Sequence, residues 1–171
     1  MLVAIDNKAA GFVAVADTIK KDSKEAIASM HALGIKVAMV TGDNERTANY
    51  VADLVGIDTV LAGVLPEGKV EAIRALQKEH GDAVAMVGDG INDAPALKQA
   101  NVGIAIGAGA DVAIEAADVT LVHGQLSKLV EAIRLSSAMY RSIVKLLRTC
   151  SGPGFTIWPP YPLQRLAYYT Q

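Results

Sequence analysis

The stretch Ala83-Val84-Ala85-Met86-Val87-Gly88-Asp89-Gly90-Ile91-Asn92-Asp93-Ala94-Pro95 decides how this chain is read. Its first five residues form an apolar run, which predicts a buried strand. Asn92 or Asp93 then opens a helix. Two carboxylates stand at i and i+4, Asp89 at the strand end and Asp93 in the first helical turn, so both can face one spot. That spot lies at the carboxyl edge of a sheet, where open α/β folds bind ligands. Two hard oxygen ligands, with glycines that permit close backbone approach, suit Mg2+, and Mg2+ usually arrives with a phosphate. An ordinary acidic turn capping a helix would explain Gly-Asp-Gly alone. The full string from Val87 to Pro95 is too specific for that reading.

Outward from this stretch the chain alternates between strands and helices. Leu2 to Ile5 and Phe12 to Ala16 read as two short strands around a turn at 7–11. Asp22 or Ser23 caps a helix that ends at Gly34. Ile35 to Val40 is a strand, Asn44 to Val55 a helix closed by Gly56, and Thr59 to Ala62 a short strand. Pro66 opens a helix that runs to His80, with Gly81 at its end. After Ala83 to Val87 come a helix over Asp93 to Ala100 and strands over Val102 to Ile106 and Val119 to Val122, bracketing a helical turn at Asp111 to Ala116. Leu126, Leu129, Val130, Ile133, Tyr140, Ile143 and Leu147 mark one long amphipathic helix. The alternation predicts an α/β fold, a doubly wound and mostly parallel sheet with helices on both faces.

Composition bounds the function. The 171 residues, 51% hydrophobic and 20% charged, suit one globular domain with a sizeable core. No run of about 18 apolar residues occurs, so no membrane span is expected, and the first residues lack the features of a signal peptide. A net charge of -2 argues against nucleic acid as a partner. The single Cys150 excludes an internal disulfide and fits a reducing compartment. His31, His80 and His123 fall in separate elements with no ligand spacing, which argues against zinc. Gly103, Gly107 and Gly109 do not have the spacing of a dinucleotide loop and read as turn glycines.

Three further clusters fall at carboxyl ends of strands. In Val40-Thr41-Gly42-Asp43-Asn44, a hydroxyl followed by glycine can offer its O–H and a backbone N–H to a phosphoryl oxygen. Asp43 can equally serve as a helix cap. Leu65-Pro66-Glu67-Gly68-Lys69 puts Lys69 in a first helical turn, where a cation is unfavourable unless an anion offsets it. Taken alone, Lys69 reads as a solvated surface charge. Ala16-Asp17-Thr18-Ile19-Lys20 is explained by a plain strand-to-helix turn.

Hydroxyl, lysine and paired aspartates, in that order along such a sheet, resemble the later motifs of the haloacid dehalogenase superfamily, so the expected fold is Rossmann-like. The closer wording, Thr41-Gly42-Asp43-Asn44 with Gly88-Asp89-Gly90-Ile91-Asn92-Asp93-Ala94-Pro95-Ala96-Leu97, resembles P-type cation ATPases. Val102-Gly103-Ile104-Ala105-Ile106-Gly107 and Asp111-Val112-Ala113-Ile114-Glu115-Ala116-Ala117-Asp118 are most similar to the copper (Cu+) exporters among the heavy-metal group. The resemblance covers about residues 1–148. It implies ATP as fuel, Mg2+ as cofactor and an aspartate in an Asp-Lys-Thr-Gly-Thr segment as phosphoryl acceptor. It further implies that Asp89 ligates Mg2+ and that Asp93 supports the metal and the attacking water. Thr41 and Gly42 would hold a phosphoryl oxygen, Lys69 would neutralise its charge and Asn92 would orient the site. Asp43 and Asp17 would lie at the nucleotide-facing edge or hinge. The parent would sit in a cell membrane with this part cytoplasmic; the isolated chain is expected to be soluble.

Much of the family pattern is absent. There is no Asp-Lys-Thr-Gly-Thr, and neither the nucleotide-binding domain nor the membrane helices are present. Gly68 replaces the aspartate common before the motif lysine. The chain therefore looks like the carboxyl-terminal part, residues 1–148, of a phosphorylation (P) domain. Its sheet is expected to be incomplete, with an unfilled central position that self-association or a second fragment could fill. Residues 149–171 form a separate tail with four of the six prolines, a density that argues against a long helix or a central strand. Two alternatives stand beside this reading. One is a stand-alone phosphatase using Asp6, which ends the apolar strand Leu2-Val3-Ala4-Ile5. The other is a non-catalytic Mg2+- or anion-binding fragment.

Overall fold

In a computed structural model the described residues are 2–6, 8–12, 19–81, 83–89, 91–107, 111–122, 124–151 and 167–170. Two sheets are present among them. A hairpin pairs β1 (Leu2–Ile5) antiparallel with β2 (Lys8–Phe12). The second strand thus starts at Lys8, four residues before the expected Phe12. The chain reverses at Asp6, which has a positive φ of 49°, rather than across the whole of 7–11.

The second sheet has six strands in the order β4-β3-β8-β5-β6-β7. These are β3 (Val37–Val40), β4 (Thr59–Leu61), β5 (Ala85–Gly88), β6 (Val102–Ile106), β7 (Val119–Leu121) and β8 (Ala167–Thr170). Every pairing in it is parallel. The helices are α1 (Ser23–Ala32), α2 (Glu45–Val55), α3 (Gly68–His80), α4 (Ala94–Gln99), α5 (Asp111–Ala116) and α6 (Leu126–Ser151).

Strand alternation sorts the core into two layers. Val37, Val87, Ile104 and Ile106 pack with Ala26, Ile27 and Met30 of α1 and with Leu126, Leu129 and Val130 of α6. The intervening Ala38 and Met86 face the other way, onto Ile73 and Leu76 of α3 and Ala96 and Leu97 of α4. Met39 meets Ala48 and Ala52 of α2. The sheet is therefore covered on both faces, which is why its central strands are apolar on both. Local signals set the helix ends. Asn44 caps α2 by accepting from Thr47 N at 3.0 Å, and Gly56 closes it with a left-handed φ of 86°. Asp22 stands at the α1 cap position without a capping bond, because its Oδ2 accepts from Ser127 N and ties α1 to α6.

The centre of the sheet is not open. β8 fills it, pairing with β3 through Val37–Val40 and with β5 through Ala85–Val87. This corrects two expectations, the unfilled centre and the exclusion of a central strand from the tail. The physical reason is local: the four prolines end at Pro162, and Ala167–Thr170 lie beyond them with every backbone N–H free to pair. The long amphipathic helix is present and runs to Ser151, three residues past the expected boundary at 148. Its first turns are buried, and Leu135, Met139, Ile143 and Leu146 leave an exposed apolar stripe further along. No described helix is long and apolar enough to cross a membrane.

Candidate functional site

All strands of the large sheet run parallel, so the residues that follow them gather at one edge. Thr41 follows β3 and Asp89 follows β5. Thr170 of β8 is level with Val40, and Tyr169 with Val87. Thr41 lies one residue past Val40 and Asp89 two residues past Val87, on either side of β8. Two inter-strand spacings separate those strands, about 10 Å.

Thr41 is buried, at 1% exposure, and its backbone is tied on both sides. Its N–H donates to Leu61 O at 2.9 Å, and its carbonyl accepts from Val64 N at 2.9 Å. Its Oγ1 accepts from Asp43 N and donates to Asp43 Oδ2, both at 3.1 Å. Asp43 therefore holds the hydroxyl rather than capping α2, a role taken by Asn44. Gly42 is exposed, and a Cβ there would meet only Val64 O at 3.6 Å.

Lys69 is not a solvated surface charge. It is 8% exposed and its Nζ donates to Asp93 Oδ1 at 2.7 Å, with Asp93 itself only 4% exposed. The anion that offsets a cation in the first turn of α3 thus comes from the start of α4, 24 residues away. Asp93 is also pressed onto β5. A Cβ built on Gly88 would lie 2.8 Å from Asp93 Cβ and 2.9 Å from its Oδ2, so only glycine lets the carboxylate sit over the strand end. In the sequence, Gly88 is marked by its place between an apolar strand and the first acid.

Asp89 and Asn92 are exposed beside this buried pair. Asp17 and Gly90 lie outside the described residues. Asp6 lies in the β1–β2 turn; among the described residues β1 pairs only with β2, so Asp6 does not end a described strand of the parallel sheet. Among the described residues no cluster of three or more His, Cys, Asp or Glu could hold a metal. The donor set at the sheet edge is two carboxylates four residues apart. That fits Mg2+, which keeps waters and takes one or two carboxylates plus substrate phosphate, and it does not fit a metal that needs a full protein cage. The arrangement can place a hydroxyl, an ammonium and two carboxylates around one anionic group, as phosphoryl transfer requires.

Away from this edge, Asp58 Oδ2 accepts from Val37 N at 2.7 Å and pairs with His31 Nε2 at 2.9 Å. Partial burial alone would raise the Asp58 carboxyl. The Val37 N–H, the His31 ring and the charge of Lys36 outweigh it and hold the group below the usual aspartate value.

Residues 2–101 match the haloacid dehalogenase-like hydrolase family. The chain is 55% identical over 143 residues to copper-transporting ATPase 2 of Rhizobium meliloti, covering 84% of this chain and 17% of that protein. It is 54% identical over 152 residues to the probable copper-exporting P-type ATPase V of Mycobacterium tuberculosis, covering 89% of this chain and 20% of that one. Among solved structures it resembles a zinc-transporting PIB-type ATPase in the E2.Pi state, with TM-score 0.74 and 44% identity over 84% of this chain and 23% of that chain. The chain thus spans about a fifth of the length of the curated relatives it matches.

Proposed function

This chain belongs to the haloacid dehalogenase-like hydrolase family, and from that membership we propose that it is the carboxyl-terminal part of the phosphorylation domain of a heavy-metal P-type ATPase. The parent is an ATP-driven pump, embedded in a cell membrane, that exports Cu+ through an aspartyl-phosphate intermediate. The high identity to copper exporters over most of the chain supports the metal. The observation that carries the reading is the buried Lys69–Asp93 pair at the same sheet edge as Thr41 and Asp89.

Each residue has a physical task. Thr41 Oγ1, positioned by Asp43, and the Gly42 N–H hold a phosphoryl oxygen. Lys69 neutralises charge on the phosphoryl group, and its bond to Asp93 keeps the ammonium in place before substrate arrives. Asp89 and Asp93 would hold Mg2+, which supplies charge stabilisation to the phosphoryl oxygens. Asp93 also orients the attacking water, Asn92 supports the site geometry, and Asp43 belongs to the nucleotide-facing edge or hinge. The nucleotide-binding and membrane parts of the pump are its partners. By itself the chain binds Mg2+ with phosphate but does not turn over.

Isothermal titration of Mg2+ in the presence of inorganic phosphate tests this, with p-nitrophenyl phosphate hydrolysis run alongside. Expected are binding that weakens about tenfold or more in Asp89→Asn and no hydrolysis by the intact chain. Hydrolysis that disappears in Asp6→Asn would overturn the reading and make Asp6 a nucleophile.

A further inference from the structure

α3 and α4 are joined twice. At the carboxyl edge of the sheet, Lys69 in the first turn of α3 reaches Asp93 at the start of α4. Towards the far ends of the same two helices a second set of bonds joins them. Gln77 Nε2 donates to Gln99 O and to Asn101 Oδ1, both at 3.0 Å. Gln99 Nε2 donates back to Gln77 Oε1 at 3.1 Å, and Arg74 Nε donates to Gln99 Oε1 at 3.2 Å. Asn101 Oδ1 also accepts from Val84 N at 3.1 Å, just before β5. Gln77 thus uses its amide nitrogen twice and its oxygen once, tying α3 to the end of α4 and to the entry of β5.

α4 has six residues and is about 9 Å long. A helix so short has little stability of its own, so its placement depends on what holds its ends. Asp93 stands at its cap position without a capping bond, and its Oδ1 is held by Lys69. The middle of α4 rests on β6, where a Cβ on Gly103 would lie 2.7 Å from Leu97 O. That close contact is a pivot. Apolar packing around it has no direction, whereas hydrogen bonds fix a distance and an angle. We propose that Gln77 and Gln99 are positioning residues, whose reciprocal amide pair sets the tilt of α4 against α3 and so holds the Asp93 carboxylate on the Lys69 ammonium. Neither amide touches the phosphoryl group. Without the pair, α4 tilts about Leu97 and the end that carries Asp93 swings away from Lys69. The hold on Lys69 stands on geometry alone; its use in phosphoryl transfer rests on the reading above, in which Asp93 also holds Mg2+.

The test uses the intact chain with 15N-labelled lysine and follows the Nζ–H signal of Lys69, assigned by its loss in Lys69→Met. A buried, bonded ammonium should give a slowly exchanging signal, and its absence would overturn the proposal. Gln77→Met keeps the side-chain length and removes every amide bond, so exchange should rise about tenfold through local opening. Gln99→Met, which leaves the Gln77 bonds to Gln99 O and Asn101 in place, should give a smaller rise and decides the matter where Gln77→Met fails to fold. Gln77→Glu combined with Gln99→Lys puts an ion pair where the amide pair was and should restore slow exchange. Asp22→Ala cuts the tie between α1 and α6 on the other face and should leave the rate unchanged. No rise in either methionine variant, or an equal rise in Asp22→Ala, would overturn the proposal. Titration of Mg2+ with inorganic phosphate on the same proteins separates the two layers. Affinity should fall about tenfold in Gln77→Met and recover in the charged double variant. Faster Lys69 exchange with unchanged affinity would overturn the role in phosphoryl transfer and leave the hold on Lys69 standing. No Mg2+ binding by the intact chain would overturn the phosphoryl-transfer reading itself.

Discussion

Replacing Lys69 by methionine is the sharpest test of how the site is held together. Methionine keeps much of the stem volume and removes the ammonium. The pair it breaks is buried at both ends, 8% exposed for Lys69 and 4% for Asp93, with a 2.7 Å bond between them. Removing one partner of such a pair leaves an uncompensated buried charge, at a cost of about 3–5 kcal/mol. Asp93 makes a further interaction beyond this bond, so the lower end applies, about 3 kcal/mol. For a chain of this size that lowers the melting temperature by about 6–12 °C. Urea denaturation followed by circular dichroism measures the free energy. The companion variants are Asp93→Asn and the double variant. The two single losses should exceed the double loss by about 2 kcal/mol, because the carboxylate no longer needs its cation. A Lys69→Met loss under about 1 kcal/mol, or strictly additive variants, would refute the claim that this pair organises the edge.

Three further outcomes follow from the same geometry. Gly88→Ala pushes Asp93 off the strand end, because its Cβ would lie 2.8 Å from Asp93 Cβ; Mg2+ affinity by calorimetry should fall about tenfold or more while the far-ultraviolet spectrum is retained. Gly103→Ala puts a methyl 2.7 Å from Leu97 O, a backbone atom that only a shift of α4 can move; urea titration should show a loss of about 1–3 kcal/mol. Asp58 has its carboxyl held below the ordinary aspartate value, so its contribution is complete above that value and disappears as pH falls through the lowered one. Asp58→Asn should therefore flatten the acid limb of the stability curve and leave its slope above pH 7 unchanged, as thermal melts across pH would record.

The parts of the molecule legible in the sequence are those governed by local chemistry. Asn44 and Gly56 mark α2 because an amide cap and a left-handed glycine work within one turn. The apolar runs before Thr41 and Asp89 mark β3 and β5 because both faces are covered. Pairings across the fold were not legible. Lys69 in α3 looks like any surface lysine until α4 is packed beside it. Lys8–Phe12 is hidden in the sequence because Ala9 and Ala10 carry little strand signal, and its pairing with β1 defines it. Ala167–Thr170 is too short for periodicity to name, and its place in the sheet comes from neighbours far away in the chain.

That last separation has a kinetic consequence. Ala167 pairs with Val37, 130 positions earlier (167 − 37), and with Ala85, 82 positions earlier (167 − 85). Loop closure on that scale must precede any reward from the ladder, so these contacts form late and slowly. The two halves of the sheet must find their helices first and wait with apolar edges exposed, and in that interval the chain is most open to aggregation. The speed with which the native state is reached is thus set by four residues at the far end of the chain, while its helices set little more than the starting point.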